Sequence, residues 1–246
     1  MTASGNGSDS QPVKVFAFLR RRGGMSRAEF DKAWERHARR LADTPELARH
    51  LRRYELHHRI DDPDRERNDV EVDDGGFDGV GIMWFDSLDE LRALQAEPAF
   101  TQFEADAAEV REPDVAGVVT RIGDVIVGPA GGAPDAGMSL ICILRHNDAV
   151  PLPEFHEHWL HHHGGLFQSI DELREPLRGY EQNHGIDLPD ARYDGVTQQW
   201  FDSLDVWIKS LEAPAHATIV EPDVAGFLDG SSIAFVLAGR PTVVIS

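Results

Sequence analysis

The fifteen residues FDGVGIMWFDSLDEL at 77–91 return as YDGVTQQWFDSLDVW at 193–207. Both carry Asp-Gly-Val and then Trp-Phe-Asp-Ser-Leu-Asp in register. Three further blocks recur in the same order. Phe30, Trp34, His37 and Leu41 correspond to Phe155, Trp159, His162 and Leu166 at a constant offset. RRYELHH at 52–58 parallels RGYEQNH at 178–184, and EPDVAG stands unchanged at 112–117 and 221–226. Four blocks in preserved order mark a duplication, and a period above 100 residues excludes a solenoid. The chain is constrained to fold as two copies of one domain.

Between the copies lies GPAGGAPDAG, residues 128–137, where Gly and Pro dominate without apolar periodicity. Residues 129–137 read as a flexible linker, which sets the copies at 13–128 and 138–246. Residues 1–12 are polar and rich in Gly and Ser, with no basic segment followed by an apolar one. They read as a disordered leader and not as a signal peptide. With 41% hydrophobic and 27% charged residues, either copy can bury a core of its own. A net charge of −19 opposes binding to nucleic acid or to an anionic membrane, with the run Arg20, Arg21, Arg22 a local exception. The single cysteine, Cys142, lies in the apolar run SLICIL and is expected to act as a small buried hydrophobe. The expected location is the cytoplasm.

Each copy parses alike. A short apolar run (VKVFAFLR; SLICILR) reads as a buried strand, and a helix follows, opened by Ser26 or by Pro153. Next come an alternating segment (RRYELHH; RGYEQNH), a polar loop, and a strand bearing the Trp. A second helix is capped from the Asp-Ser pair, and a β-rich run closes the copy. The order βαββαβ is the ferredoxin-like arrangement. Its sheet leaves one apolar face uncovered. Two such sheets packed face to face would give an α+β intrachain pseudo-dimer, active as a monomer or as a homodimer.

Candidate chemistry concentrates in FHEHWLHHHGGL, residues 155–166, with five histidines in twelve residues. On a helical wheel Phe155, Trp159, His162 and Leu166 share one sector, His158 and His163 lie at its margins, and His161 points away. His158 and His162 have the i,i+4 spacing of a metal pair, but the HExxH arrangement is absent. A third ligand would have to come from elsewhere, such as His184 or Glu181, and the first copy has Ala33 in place of His158. No metal is therefore assigned. The strand GYEQNH places Tyr180, Gln182 and His184 on one face by its period of two. Tyr54, Leu56 and His58 are arranged likewise in the first copy. A Tyr and a His on a buried face need partners, and an imidazole nearby could move protons without a cofactor. Gln198 shares a face with Trp200, and both are expected to wall the pocket and bind substrate with Trp159, Gln182 and His158. The first copy offers His37, Tyr54, His58 and Trp84 as a second, less polar site. No phosphate loop, nucleophile elbow or calcium loop is present, and DDPDRERND at 61–69 reads as a solvated loop.

EFHEHWLHHHGGL resembles the signature helix of EthD-type proteins, with Phe, then Trp four residues on, then His four after that. The GYEQNH strand and the YDGV…WFDSLD block are similar to that family as well. The resemblance implies the dimeric α+β barrel, with this chain as a tandem form. It places the family's His on His163, whereas the internal repeat nominates His162. The family's Pro falls on Gly165. In the first copy the corresponding positions hold Ala38 and Arg40. Relatives on this barrel include cofactor-independent monooxygenases, cyclases, dehydratases, decarboxylases and haem-handling enzymes.

The expected function is a cofactor-independent acid–base enzyme of dehydratase, decarboxylase or cyclase type, acting on a small apolar, aromatic or polyketide-like molecule. His163 or His162 would be the base or acid, and Tyr180 and His184 would hold or protonate an oxygen. The alternatives are a cofactor-free monooxygenase and a non-catalytic binding or accessory protein.

Overall fold

The computed structural model describes residues 10–60, 76–133 and 135–246. Most of the expected leader, the loop at 61–69 and Pro134 of the expected linker lie outside the described residues. In chain order the first repeat runs β1 (Val13–Leu19), α1 (Arg27–Ala42), α2 (Pro45–Ala48), β2 (Leu51–His58) and β3 (Gly79–Phe85). It continues with α3 (Leu88–Ala96), α4 (Pro98–Ala107), β4 (Ala116–Arg121) and a short β5 (Asp124–Val127). The second repeat begins with β6 (Met138–Leu144) and α5 (Leu152–Glu157), which passes through a π-helical turn (His158–His163) into α6 (Gly164–Ser169). Then come α7 (Asp171–Arg174), β7 (Gly179–His184), β8 (Gly195–Phe201) and α8 (Leu204–Leu211). A second π-helical turn (His216–Val220), α9 (Glu221–Phe227), β9 (Ala234–Ala238) and β10 (Thr242–Ile245) complete the chain.

Two compact units result. The first holds 10–58, 77–122 and 241–246, and the second holds 123–133 and 135–240 with Arg59, Ile60 and Gly76. The first has a five-stranded antiparallel sheet in the order β10-β2-β3-β1-β4, and the second has β5-β7-β8-β6-β9. Without its first strand each sheet has the order of a ferredoxin-like βαββαβ unit, and with helices against it each is an α+β domain. The added edge strand departs from the boundaries 13–128 and 138–246. β5 ends the first repeat in sequence yet pairs with β7, and β10 ends the second yet pairs with β2. GVVTRIGDVIV reads as one run, but it breaks at Gly123, and the matching run breaks at Gly239 to Pro241. Each short strand satisfies backbone groups that the edge of β2 or β7 would otherwise expose.

Residues 129–133 and 135–137 do not hang free between the copies. The Gly131 N–H donates to Glu181 Oε1 at 2.9 Å, Gly132 lies against the Trp200 ring, and Arg240 donates to the Asp135 carbonyl.

The repeated DGV and WFDSLD blocks serve the fold. Asp78 accepts the Arg21 N–H at 2.7 Å and Asp194 accepts the His146 N–H at 2.8 Å, which ties the exit of β1 or β6 to the start of β3 or β8. The next residue, Gly79 or Gly195, seats the ring of Trp34 or Trp159. A Cβ at either glycine would lie 2.5 Å from that indole. Phe85 and Phe201 are buried, and Ser87 and Ser203 cap α3 and α8 by accepting the Glu90 and Val206 N–H groups. EPDVAG behaves differently. In the first repeat it leads directly into β4, whereas in the second it forms α9, so identical residues take the conformation their surroundings select.

α1 begins at a capping box in which Ser26 and Glu29 exchange hydrogen bonds, and it buries Phe30, Trp34, His37, Ala38 and Leu41. The second unit's helix buries Phe155, Trp159, His163, Gly164 and Phe167. Among the described residues no helix is long and apolar enough to cross a membrane.

Substituting Gly195→Ala drives a methyl into Trp159 and should cost about 1–3 kcal/mol in urea or thermal unfolding. Gly165→Ala meets nothing within 4 Å and lies in α6. It should instead stabilise by up to about 1 kcal/mol. Equal effects at the two glycines would refute the indole-seat account.

Candidate functional site

The second unit holds a partly open cavity of about 490 Å³ between one face of its sheet and its helices. The sheet contributes Leu140 and Cys142 from β6 with Thr197, Gln199 and Phe201 from β8, and the helices contribute Trp159, His163, Phe167, Trp207 and Val220. Size and lining suit a small, mostly apolar ligand. Cys142 lies in the wall as a thiol that burial pushes up to about 12, so it is a lining group and no nucleophile at neutral pH.

Only one of the five histidines in FHEHWLHHHGGL lines this cavity. A π turn rotates less per residue than the ~100° of an α-helix, which shifts the wheel computed from an α-helical period. His163 is thereby carried to the buried face (7% exposed), while the His162 side chain remains 61% exposed. The turn is fixed at the carbonyl of Trp159. That oxygen accepts the Gly164 N–H in the i to i+5 pattern and also the Gln182 Nε2 amide at 2.8 Å. Gln182 is fully buried and bonds the Tyr180 hydroxyl at 2.9 Å as well.

His163 Nδ1 lies 2.7 Å from Asp223 Oδ2. His158 Nε2 lies 2.7 Å from the other carboxylate oxygen, Oδ1, and His162 Nε2 is 3.4 Å from the same atom. Burial raises the Asp223 pKa, but the hydrogen bonds from His163 and His158 outweigh it, and the carboxyl sits below its ordinary value. An ionised carboxylate only accepts, so His163 carries its proton on Nδ1 and its remaining ring nitrogen is the one available to a ligand. Sequence reasoning missed Asp223. Its signal was the exact repeat of EPDVAG, legible only as evidence of duplication. In the first copy the equivalent Asp114 is exposed and pairs loosely with Arg20 at 3.8 Å.

Of the other expected residues, Trp159 lines the cavity. Tyr180, Gln182 and His184 share a sheet face as expected but lie outside the lining. Burial pushes the Tyr180 hydroxyl up to about 12, and its hydrogen bonds run to Gln182, Trp159 and Thr197. It supports the wall and keeps its proton. His184 Nδ1 is 2.8 Å from His156 Nδ1, with its ring against Trp159. The expectation for Gln198 and Trp200 is corrected by strand alternation. Gly195 packs on Trp159, so Thr197 and Gln199 share its helix-facing side, while Gln198 and Trp200 fall on the opposite face.

The proposed second set in the first unit does not assemble. His37 stacks on Phe103 at 4.0 Å and faces Arg40, whereas His58 pairs with Asp31 at 3.0 Å and packs on Trp34. Tyr54 is buried, with its pKa raised by desolvation, and Trp84 meets Lys14 and Arg53. Among the described residues no hydrogen bond or ring contact joins any two of these four.

Two ferredoxin-like α+β units, one enclosing a His–Asp pair at an apolar cavity, define the class to which the comparisons then give a family. The EthD domain profile matches residues 22–112 and 147–231, one segment in each repeat, and the chain belongs to the EthD family. Comparison with curated protein sequences gave no match. Among solved structures, an anthrone oxidase-like protein is 12% identical with a TM-score of 0.67, over 96% of this chain and 94% of that one. A candidate monooxygenase from Fusobacterium nucleatum is 8% identical (95% and 94% covered, TM-score 0.57). A chlorite dismutase variant from Candidatus Nitrospira defluvii is 9% identical (94% and 93% covered, TM-score 0.51). Identities this low show a shared fold.

His37 provides a check on the first unit. Burial first, and then the charges of Arg40 and Arg111, lower its pKa to about 4. An unfolded chain takes up this proton near pH ~6.5, which the folded ring resists. Stability should therefore fall as pH drops from about 6.5 to about 4 and stop falling on this account below that. NMR titration should place the His37 midpoint near 4. His37→Phe should flatten the stability loss over that range, and a midpoint near the ordinary histidine value would contradict the burial argument.

Proposed function

We propose that the chain is an enzyme that binds a small, apolar, aromatic or polyketide-like molecule in the second unit's cavity and uses His163 to move a proton. The observation that carries this reading is one buried imidazole on the cavity wall, held through Nδ1 by Asp223. In this role Asp223 fixes the tautomer and stabilises the imidazolium that forms when the free nitrogen takes a proton. On the sheet side Thr197 and Gln199 are the polar wall groups that would orient a substrate oxygen, in place of Gln198, Trp200 and Tyr180; Ser210, His216 and Glu221 line the helix side. Burial in an apolar wall strengthens these few polar contacts. Proton abstraction next to a carbonyl suits a dehydratase, decarboxylase or cyclase step. The chain acts as a monomeric pseudo-dimer or as a homodimer, with its active cavity in the second repeat.

A second reading starts from the same base. A carbanion formed by His163 could react with oxygen, as in a cofactor-free monooxygenase. Its support is the likeness in fold to proteins named as a monooxygenase and as anthrone oxidase-like. Oxygen uptake during turnover separates the two readings.

The test uses enolisable aromatic ketones in D2O, with deuterium incorporation followed by NMR. His163→Ala should lower exchange by about 10²–10⁴-fold and Asp223→Asn by at least about tenfold. Ligand affinity, read from tryptophan fluorescence, should change only a few-fold. Unchanged exchange in His163→Ala would leave a binding or accessory role in place of catalysis.

A further inference from the structure

We infer that His158, His162 and Asp223 form a binding site for a divalent transition-metal ion, set against the outer side of the His163–Asp223 pair. The spacing of His158 and His162 suggested a metal pair in the sequence but lacked a third ligand. α9 supplies it. The nearest nitrogens of both rings converge on Asp223 Oδ1, at 2.7 Å and 3.4 Å, and the three donor atoms all lie within 4.8 Å of one another. The rings of His158 and His162 are 4.6 Å apart, centre to centre.

Two imidazole nitrogens and one carboxylate oxygen are the donor set of a Zn²⁺ or Co²⁺ site that keeps an open position, and they also match the two-histidine, one-carboxylate set of iron(II). Around an ion with bonds of about 2.0–2.2 Å, tetrahedral ligand atoms lie about 3.3–3.6 Å apart, so His162 already stands at ligand spacing from Asp223 and His158 would draw back by less than about 1 Å. Asp223 is the rigid member, with its side chain 9% exposed, while His162 is 61% exposed and free to adjust. The exposed side leaves room for water as the fourth ligand. His161, on the same helix, is 65% exposed, and its partner among the described residues is Glu157, at 3.7 Å. The site is therefore more specific than a run of histidines. Asp223 Oδ2 stays on His163 Nδ1, so one carboxylate would serve the ion and the dyad together. An ion on Oδ1 would weaken Asp223 as a partner for His163 and slow proton transfer. That consequence rests on the acid–base reading of His163, whereas the site itself does not.

Zinc titration of the full chain by calorimetry, repeated with Co²⁺ by visible absorption, tests the site. One ion per chain is expected. His162→Ala, His158→Ala and Asp223→Asn should each weaken binding at least about tenfold. His161→Ala should leave it unchanged, and His163→Ala should keep it, because His163 is not a ligand. His162 is exposed, so its variant should fold normally. Loss in His161→Ala equal to that in His162→Ala, or full affinity in Asp223→Asn with several ions bound, would mark adventitious capture by surface histidines and overturn the site. Zinc binding that persists in a His163→Ala chain without proton exchange supports the site. Zinc binding in a chain whose exchange never depended on His163 would sink the acid–base reading alone.

Discussion

The second unit is organised by the seat of Trp159. Its ring rests on Gly195, where no side chain would fit, and its carbonyl takes two hydrogen bonds, from Gly164 and from Gln182. The ring contact fixes the height of the helix above β8. The shared carbonyl holds the helix in a π turn, and that turn determines which histidine faces inward. Trp34 has the same seat on Gly79, but α1 continues as an ordinary α-helix through His37. One extra residue accommodated in a helix thus separates the two copies. In one copy His37 stacks on Phe103 and keeps a depressed pKa, and in the other His163 reaches a cavity wall.

The second organising group is the Asp223 carboxylate. A buried carboxylate is costly unless its oxygens are bonded, and here histidines do the bonding. One oxygen is held from within the fold by His163, the other from its surface by His158 and His162. Electrostatics alone would therefore tie an internal proton site to an external one.

The fold was largely legible because the repeated residues are structural: Asp78 and Asp194 tie strand ends, Gly79 and Gly195 seat indoles, and Ser87 and Ser203 cap helices. Each has a local signature that a single sequence displays. The exchange of β5 and β10 was not legible, since a four-residue strand has too few positions to show a period and its partner lies far along the chain. The site was legible in part. The helix motif points to Trp159 and His163, but an α-helical wheel does not choose between His162 and His163, because a π turn lies outside its period. Alternation alone does not say which side of β8 faces the helix; the seat at Gly195 fixes it and puts Gln198 and Trp200 on the opposite face. Asp223 was hidden because its hexapeptide forms a helix in one copy and leads into a strand in the other.

Asp223 holds His163 with its proton on Nδ1 and leaves its other nitrogen for chemistry. Long-range proton–nitrogen correlation of the His163 imidazole, at a pH where the ring is neutral, reads this directly. The account predicts a protonated Nδ1 and a bare Nε2, with the balance shifting toward the opposite tautomer in Asp223→Asn. A His163 ring found chiefly as the Nε2-protonated form in the unaltered chain would contradict it.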